Sequence, residues 1–196
     1  MPLHVPLAPA PAQRSVLTAL GSPTAVREAP TPALRAATEQ HPATAEYPLP
    51  VHVLDRVTLS GRTPTRITSW RFLIRCGGQT VAAADTMLTP DGWAFSRFFE
   101  GPYVAATEQA LQQAESLPAP YQPRLLSVPE LYMLTLWLHG DITADGDTGH
   151  PAPSDMLVPL APAPPGIAAH RPHRFGELLP VLTQRLAAPP LLGSPA

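Results

Sequence analysis

The chain has 196 residues, a formal net charge of −2, 44% hydrophobic residues and only 14% charged ones. That length suits one domain with a real core plus tails, and the near-neutral charge leaves no basic footprint for nucleic acid. All 13 basic residues are arginine, and neither lysine nor asparagine occurs; this excludes side-chain Schiff-base catalysis, a Walker-type phosphate loop, a Cys-His-Asn triad and N-linked glycosylation.

Ten of the 28 prolines fall in residues 1–50 and eleven in 151–196. The folded body is therefore expected at 47–186, after a Pro/Ala-rich segment 1–46 and before a disordered tail 187–196. The opening "MPLHVPLAPAPAQ" reads as an extended, mobile end, because proline removes backbone donors and fixes an open conformation. It lacks a cationic start followed by an apolar stretch, so it is not read as a secretion signal. No apolar run nears the roughly 18 residues a membrane span requires. The expected compartment is the cytoplasm, and the bias to arginine, alanine and proline fits a GC-rich bacterial genome. "QRSVLTAL" and "PALRAATEQ" suit short helical turns, which persist only when docked on something.

Four strands are predicted next, as an antiparallel meander. "VHVLDRVTL" (51–59) alternates, with His52 and Asp55 on opposite faces. "RITSWRFLIRC" (66–76) places Trp70, Phe72, Ile74 and Cys76 on one face. Cys76, the only cysteine, excludes an internal disulfide and a four-cysteine zinc site; with no histidine beside it, it reads as a small apolar filler. Gly77-Gly78 predicts a tight hairpin into "QTVAAADTML" (79–88), since both glycines accept positive φ. "TPDG" turns the chain into "WAFSRFFE" (93–100).

A two-residue turn pairs Cys76 with Gln79, and uninterrupted pairing then sets Trp70 opposite Asp85 and Asp85 opposite Ser96. On that face Asp85 lies among Trp70, Phe72, Met87 and Phe98. A lone carboxylate there needs donors, and the Trp70 indole and Ser96 hydroxyl are the nearest. On the other face Arg71 and Arg97 flank Ala84, about 10 Å apart. Two guanidinium forks at that spacing can clamp a carboxylate or phosphate; otherwise each lies along Trp93, Phe95 and Phe99 with its head in water.

Gly101-Pro102 opens a helix over 102–117, with Val104, Ala110, Leu111, Ala114 and Leu117 inward. The stretch 124–140 is ambiguous. Ser127 and Glu130 have capping-box spacing for a helix, but the apolar run 131–138 is only eight residues long. Two strands of a long-looped hairpin, the second being "DMLVPLAP", are preferred, with Pro159 marking an edge strand. A last helix, "RFGELLPVLTQRLA", is broken or kinked at Pro180. The order β-β-β-β-α-β-β describes an α+β domain, a curved antiparallel sheet of about five to six strands backed by one main helix. The order resembles cystatin-like folds, as an analogy of architecture only.

The connecting loop, "HGDITADGDTGHPAPSD", gathers His139, Asp141, Asp145, Asp147, His150 and Asp155. Asp141, Asp145 and Asp147 occupy positions one, five and seven, which is wrong for a helix–loop–helix calcium site. A metal held by His139, Asp145 and His150 is the weaker reading; a hydrated turn is preferred.

Two functions follow. The first is a non-catalytic binding or protein-interaction domain, whose sheet face takes a protein partner, a second copy or a small acidic ligand through Arg71, Arg97, Trp70, Asp85 and Phe98. The alternative is a small enzyme, with Asp85 as general acid or base in a cone walled by Trp70 and Phe98. Neither calls for a cofactor, nucleic acid or membrane.

Overall fold

The computed structural model describes residues 3–54 and 64–186. The tail 187–196, Asp55 and the far half of the expected strand 51–59 lie outside the described residues.

Three short helices come first: α1 (Ala10–Leu20), α2 (Pro23–Glu28) and α3 (Pro32–Thr38). Each carries a proline in its first two positions, where the missing N–H has no helical partner to lose. The expectation of an extended start to residue 13 is thereby corrected: Ala10–Gln13 is the first turn of α1. The segment before it is tied down, with the His4 amide donating to the Tyr121 carbonyl at 2.9 Å.

β1 (Ala43–Leu54), β2 (Thr65–Cys76), β3 (Gln79–Thr89) and β4 (Gly92–Phe99) form the predicted meander, but β1 begins at Ala43, ahead of the expected Val51 and inside the segment 1–46. The helix α4 (Pro102–Glu115) follows, then β5 (Gln122–Val128), β6 (Met133–His139), β7 (Met156–Pro159), a two-residue β8 (His173–Arg174) and α5 (Phe175–Leu186), which carries Pro180 inside it. The fold is α+β, on a single sheet of eight strands in the order β4-β3-β2-β1-β5-β6-β7-β8. Two antiparallel meanders are joined by one parallel pair, β1 with β5. The sheet is larger than the five to six strands expected. The stretch 124–140 is strand, and β6 and β7 are the predicted long-looped hairpin. Between β5 and β6, Pro129–Leu131 makes a 3-10 turn where a helix cap was the alternative. β7 is not the edge strand, since β8 lies outside it, but β8 pairs only with Met156 and Leu157, so Pro159 falls past the paired stretch, where its missing N–H costs no ladder bond.

One face of the sheet is backed by α4, whose inner stripe of Val104, Ala106, Ala110, Leu111 and Ala114 lies on Leu73, Ala83, Leu125 and Leu136. The alanines let the helix sit close to the strands. The other face has two covers. Helices α1–α3 bury Trp70, Phe72, Ile74, Cys76 and Phe98 on the first meander. Helix α5 buries Leu126, Trp137 and Leu157 on the second.

The register departs from the uninterrupted pairing. Gly77 and Gly78 take φ of 56° and 82° and pair Cys76 with Gln79 as expected. Then β3 bulges at Val81: Arg75 pairs with Thr80, but Ile74 pairs with Ala82. Every later pair moves by one residue, so Phe72 meets Ala84 and Arg71 meets Asp85. A second bulge at Ser96 sets Asp85 opposite Arg97 and Ala84 opposite Phe98. The pairing of Trp70 with Asp85 is corrected: the two side chains stand on opposite surfaces. The cause is physical. Without the bulge, Asp85 would lie under α1–α3 among Trp70 and Phe72, a lone carboxylate in an apolar layer. With it, Ala82 and Ala84 fill that layer, and Asp85 turns to an arginine. A one-residue shift exchanges the whole set of faces.

Candidate functional site

Among the described residues, two charged clusters on the sheet hold a buried carboxylate. The first lies between the two helical covers, over the β1–β5 seam, and is roofed by the loop 140–155. Arg124 on β5 is fully buried. Its guanidinium donates to Gln122 Oε1 at 2.7 Å and to the backbone carbonyls of Thr148 and Asp145 at 2.5 and 3.0 Å. It also lies over the Trp137 ring, 4.9 Å from the centroid. Burial lowers its pKa to about 10, opposed by the carboxylates of Asp155 and its neighbours, so it stays charged at neutral pH.

Asp155 is the buried counterpart. It accepts from the Trp137 indole at 2.7 Å, from the amides of Ala152 and Gly140 at 3.0 and 3.1 Å, and pairs with His139 Nδ1 at 2.8 Å. Burial pushes its carboxyl upward, but these hydrogen bonds outweigh that and hold it below the usual range. His52 Nε2 lies 2.9 Å from the Gly146 carbonyl, so that nitrogen carries the proton. Burial depresses this histidine to about 4; the Gly146 bond opposes the shift and the Arg124 charge adds to it. The Trp70 indole, expected to serve Asp85, donates to Asp147 of the same loop at 3.0 Å. The loop thus turns Asp147 and Asp155 inward onto Trp70 and Trp137, while Asp141, Asp145 and His150 stay exposed. His139 is committed to Asp155, Asp145 Oδ1 accepts from the Asp147 amide, and His150 is exposed. Among the described residues no three His, Cys, Asp or Glu side chains converge as a metal site would require.

The second cluster lies on the α4 face, at one end of the first meander. The two bulges align Arg71, Asp85 and Arg97 across three neighbouring strands. Arg71 forks onto Asp85, Nε to Oδ1 at 2.8 Å and Nη2 to Oδ2 at 3.0 Å. The pair is largely buried, with side-chain exposures of 12% and 11%. Arg97 is exposed, and among the described residues no carboxylate lies within ion-pair distance of it. Both guanidinium groups stand over one ring, that of Phe99, at 4.6 and 5.5 Å from its centre.

These arginines form one wall of an open cleft of about 490 Å³. Val51, Phe99, Met133 and Leu134 supply apolar surface, and Ser127, Tyr103 and Tyr132 bring hydroxyls. Tyr132 follows the 3-10 turn at φ 51°, in the left-handed region, a conformation that costs an L-residue roughly 1–2 kcal/mol. The residue is 89% exposed. Its carbonyl is held by the Tyr103 hydroxyl at 2.9 Å.

Of the expected site residues, Arg71, Arg97 and Asp85 come together, while Trp70 and Phe98 lie on the other face beneath α1–α3. The acid–base pocket walled by Trp70 and Phe98 is therefore not assembled around Asp85, whose two oxygens are both occupied by Arg71. Cys76 is buried, and burial pushes its thiol up. Sequence reasoning missed Ser127 and Tyr132, which reach the cleft because β5 lies beside β1, and Tyr103, which reaches it from the first turn of α4. No protein-family model, no curated protein and no solved structure matches this chain.

Proposed function

We propose that the protein is a non-catalytic binding module that takes a small acidic ligand in the cleft beside Arg71 and Arg97. The observation that carries this reading is the exposed Arg97 guanidinium, without an ion pair among the described residues, at the wall of a cleft otherwise lined largely by apolar and aromatic groups. A cavity of that size holds a drug-sized molecule, which favours a small ligand over a protein partner for this surface. Arg71 and Asp85 form a fixed floor, and Arg97 is the free fork that a carboxylate or phosphate engages. Thermal shift against paired acids and their neutral amides tests the reading. Acids stabilise the protein, their amides do not, and Arg97→Gln removes the difference. If no acid outperforms its amide, the proposal fails.

A further inference from the structure

The row Arg71–Asp85–Arg97 also states how much negative charge the cleft accepts. Asp85 lies directly across from both arginines, one on each neighbouring strand. It consumes the Nε and Nη2 donors of Arg71. The row carries two positive charges and one negative, and a single guanidinium remains uncompensated. A second observation limits the ligand's body. Beyond the arginines the cleft offers Val51, Met133 and Leu134, with the rings of Phe99 and Tyr132, and among the described residues that line it Arg71 and Arg97 are the only cations.

We infer that the ligand is a monocarboxylate with an apolar, ring-sized body, its carboxylate on Arg97, and that Asp85 is the residue that excludes dianions such as phosphate monoesters. This rests on the binding reading above and adds the ligand's charge and class. A monoanion neutralises the row. A dianion leaves a net negative charge in a largely apolar cleft, close to the Asp85 carboxylate, and like charges in such surroundings repel. Asp85 acts here as a specificity-determining residue through charge, with no contact to the ligand required.

The test uses the whole chain and four probes: 3-phenylpropionate, 2-phenylethanesulfonate, 2-phenylethyl phosphate and neutral 3-phenylpropionamide, measured by calorimetry at pH 8. Wild type binds the carboxylate and the sulfonate, which share one charge and differ in shape, at least about tenfold more tightly than the phosphate. Arg97→Gln weakens both monoanions by about tenfold or more. Asp85→Asn reverses the preference in favour of the phosphate. If wild type binds the phosphate as well as or better than both monoanions, the charge-selection inference is overturned while the acidic-ligand reading stands. If the amide binds as well as the acids, or nothing binds, the underlying reading is what fails. Should Asp85→Asn not fold, the wild-type comparison of sulfonate with phosphate still decides, because both have tetrahedral heads and differ in charge.

Discussion

Arg124 and Arg97 belong to the same sheet and live under opposite rules. Arg124 is wholly enclosed, and its donors go to Gln122 and to the carbonyls of a loop that it holds in place. Arg97 is exposed, rests on a ring, and has no ion pair among the described residues. A buried charge survives only when its surroundings are built to satisfy it. A charge left unsatisfied at the rim of a cleft is free for something else. The degree of satisfaction, more than residue type, separates the structural cluster from the candidate binding one.

The largest test of that contrast is to truncate each arginine. Arg124→Ala orphans the Thr148 and Asp145 carbonyls and strips Asp155 of its compensating charge, so a loss of about 3–5 kcal/mol in urea unfolding is expected. Arg97→Ala should stay within about 0.5 kcal/mol of wild type. Equal losses would erase the distinction. Next in size is acid sensitivity at the seam. His52 is depressed to about 4, whereas the unfolded chain takes up this proton near 6.5. Stability is therefore full above pH 6.5 and falls as pH drops toward 4, by about 3 kcal/mol. His52→Gln keeps a donor for the Gly146 carbonyl and should flatten that slope in a pH series of melting curves. The smallest effect concerns the cleft. Tyr132→Gly relieves the left-handed strain and raises Tm by about 2–4 °C, while weakening any aromatic acid that stacks on the tyrosine. A drop in Tm would show that Tyr132 supports the turn through its side chain.

Much of the architecture is legible in the residues. Alternation marks β2, the diglycine marks the hairpin, and the alanine stripe marks α4. The register beyond the turn is not legible, and the reason is local. In "TVAAADTML", Ala82, Ala83 and Ala84 are consecutive, so either phase of the strand offers small apolar residues to both faces. The choice falls to Asp85, which avoids the layer beneath α1–α3, and nothing in β3 announces that those helices are there. The parallel contact of β1 with β5 is equally hidden, since it brings together residues more than seventy positions apart, such as Val51 and Leu125. With it goes the burial of Arg124, which in "QPRLLSV" reads as an ordinary surface residue. The candidate site is half legible for the same reason: Arg71, Arg97 and Asp85 stand out in the sequence, but which of them touch depends on two bulges.

The bulge at Ser96 has a further consequence, for association. β4 is one border of the sheet, and a straight eight-residue border would offer its free amides and carbonyls to a strand of any neighbouring molecule. Bulges coil such a margin away from flatness, and here the exposed residues at the kink are Ser96 and the cationic Arg97. The opposite border is only two residues long. An irregularity that aims a charge into the cleft also blunts the margin most open to runaway polymerisation.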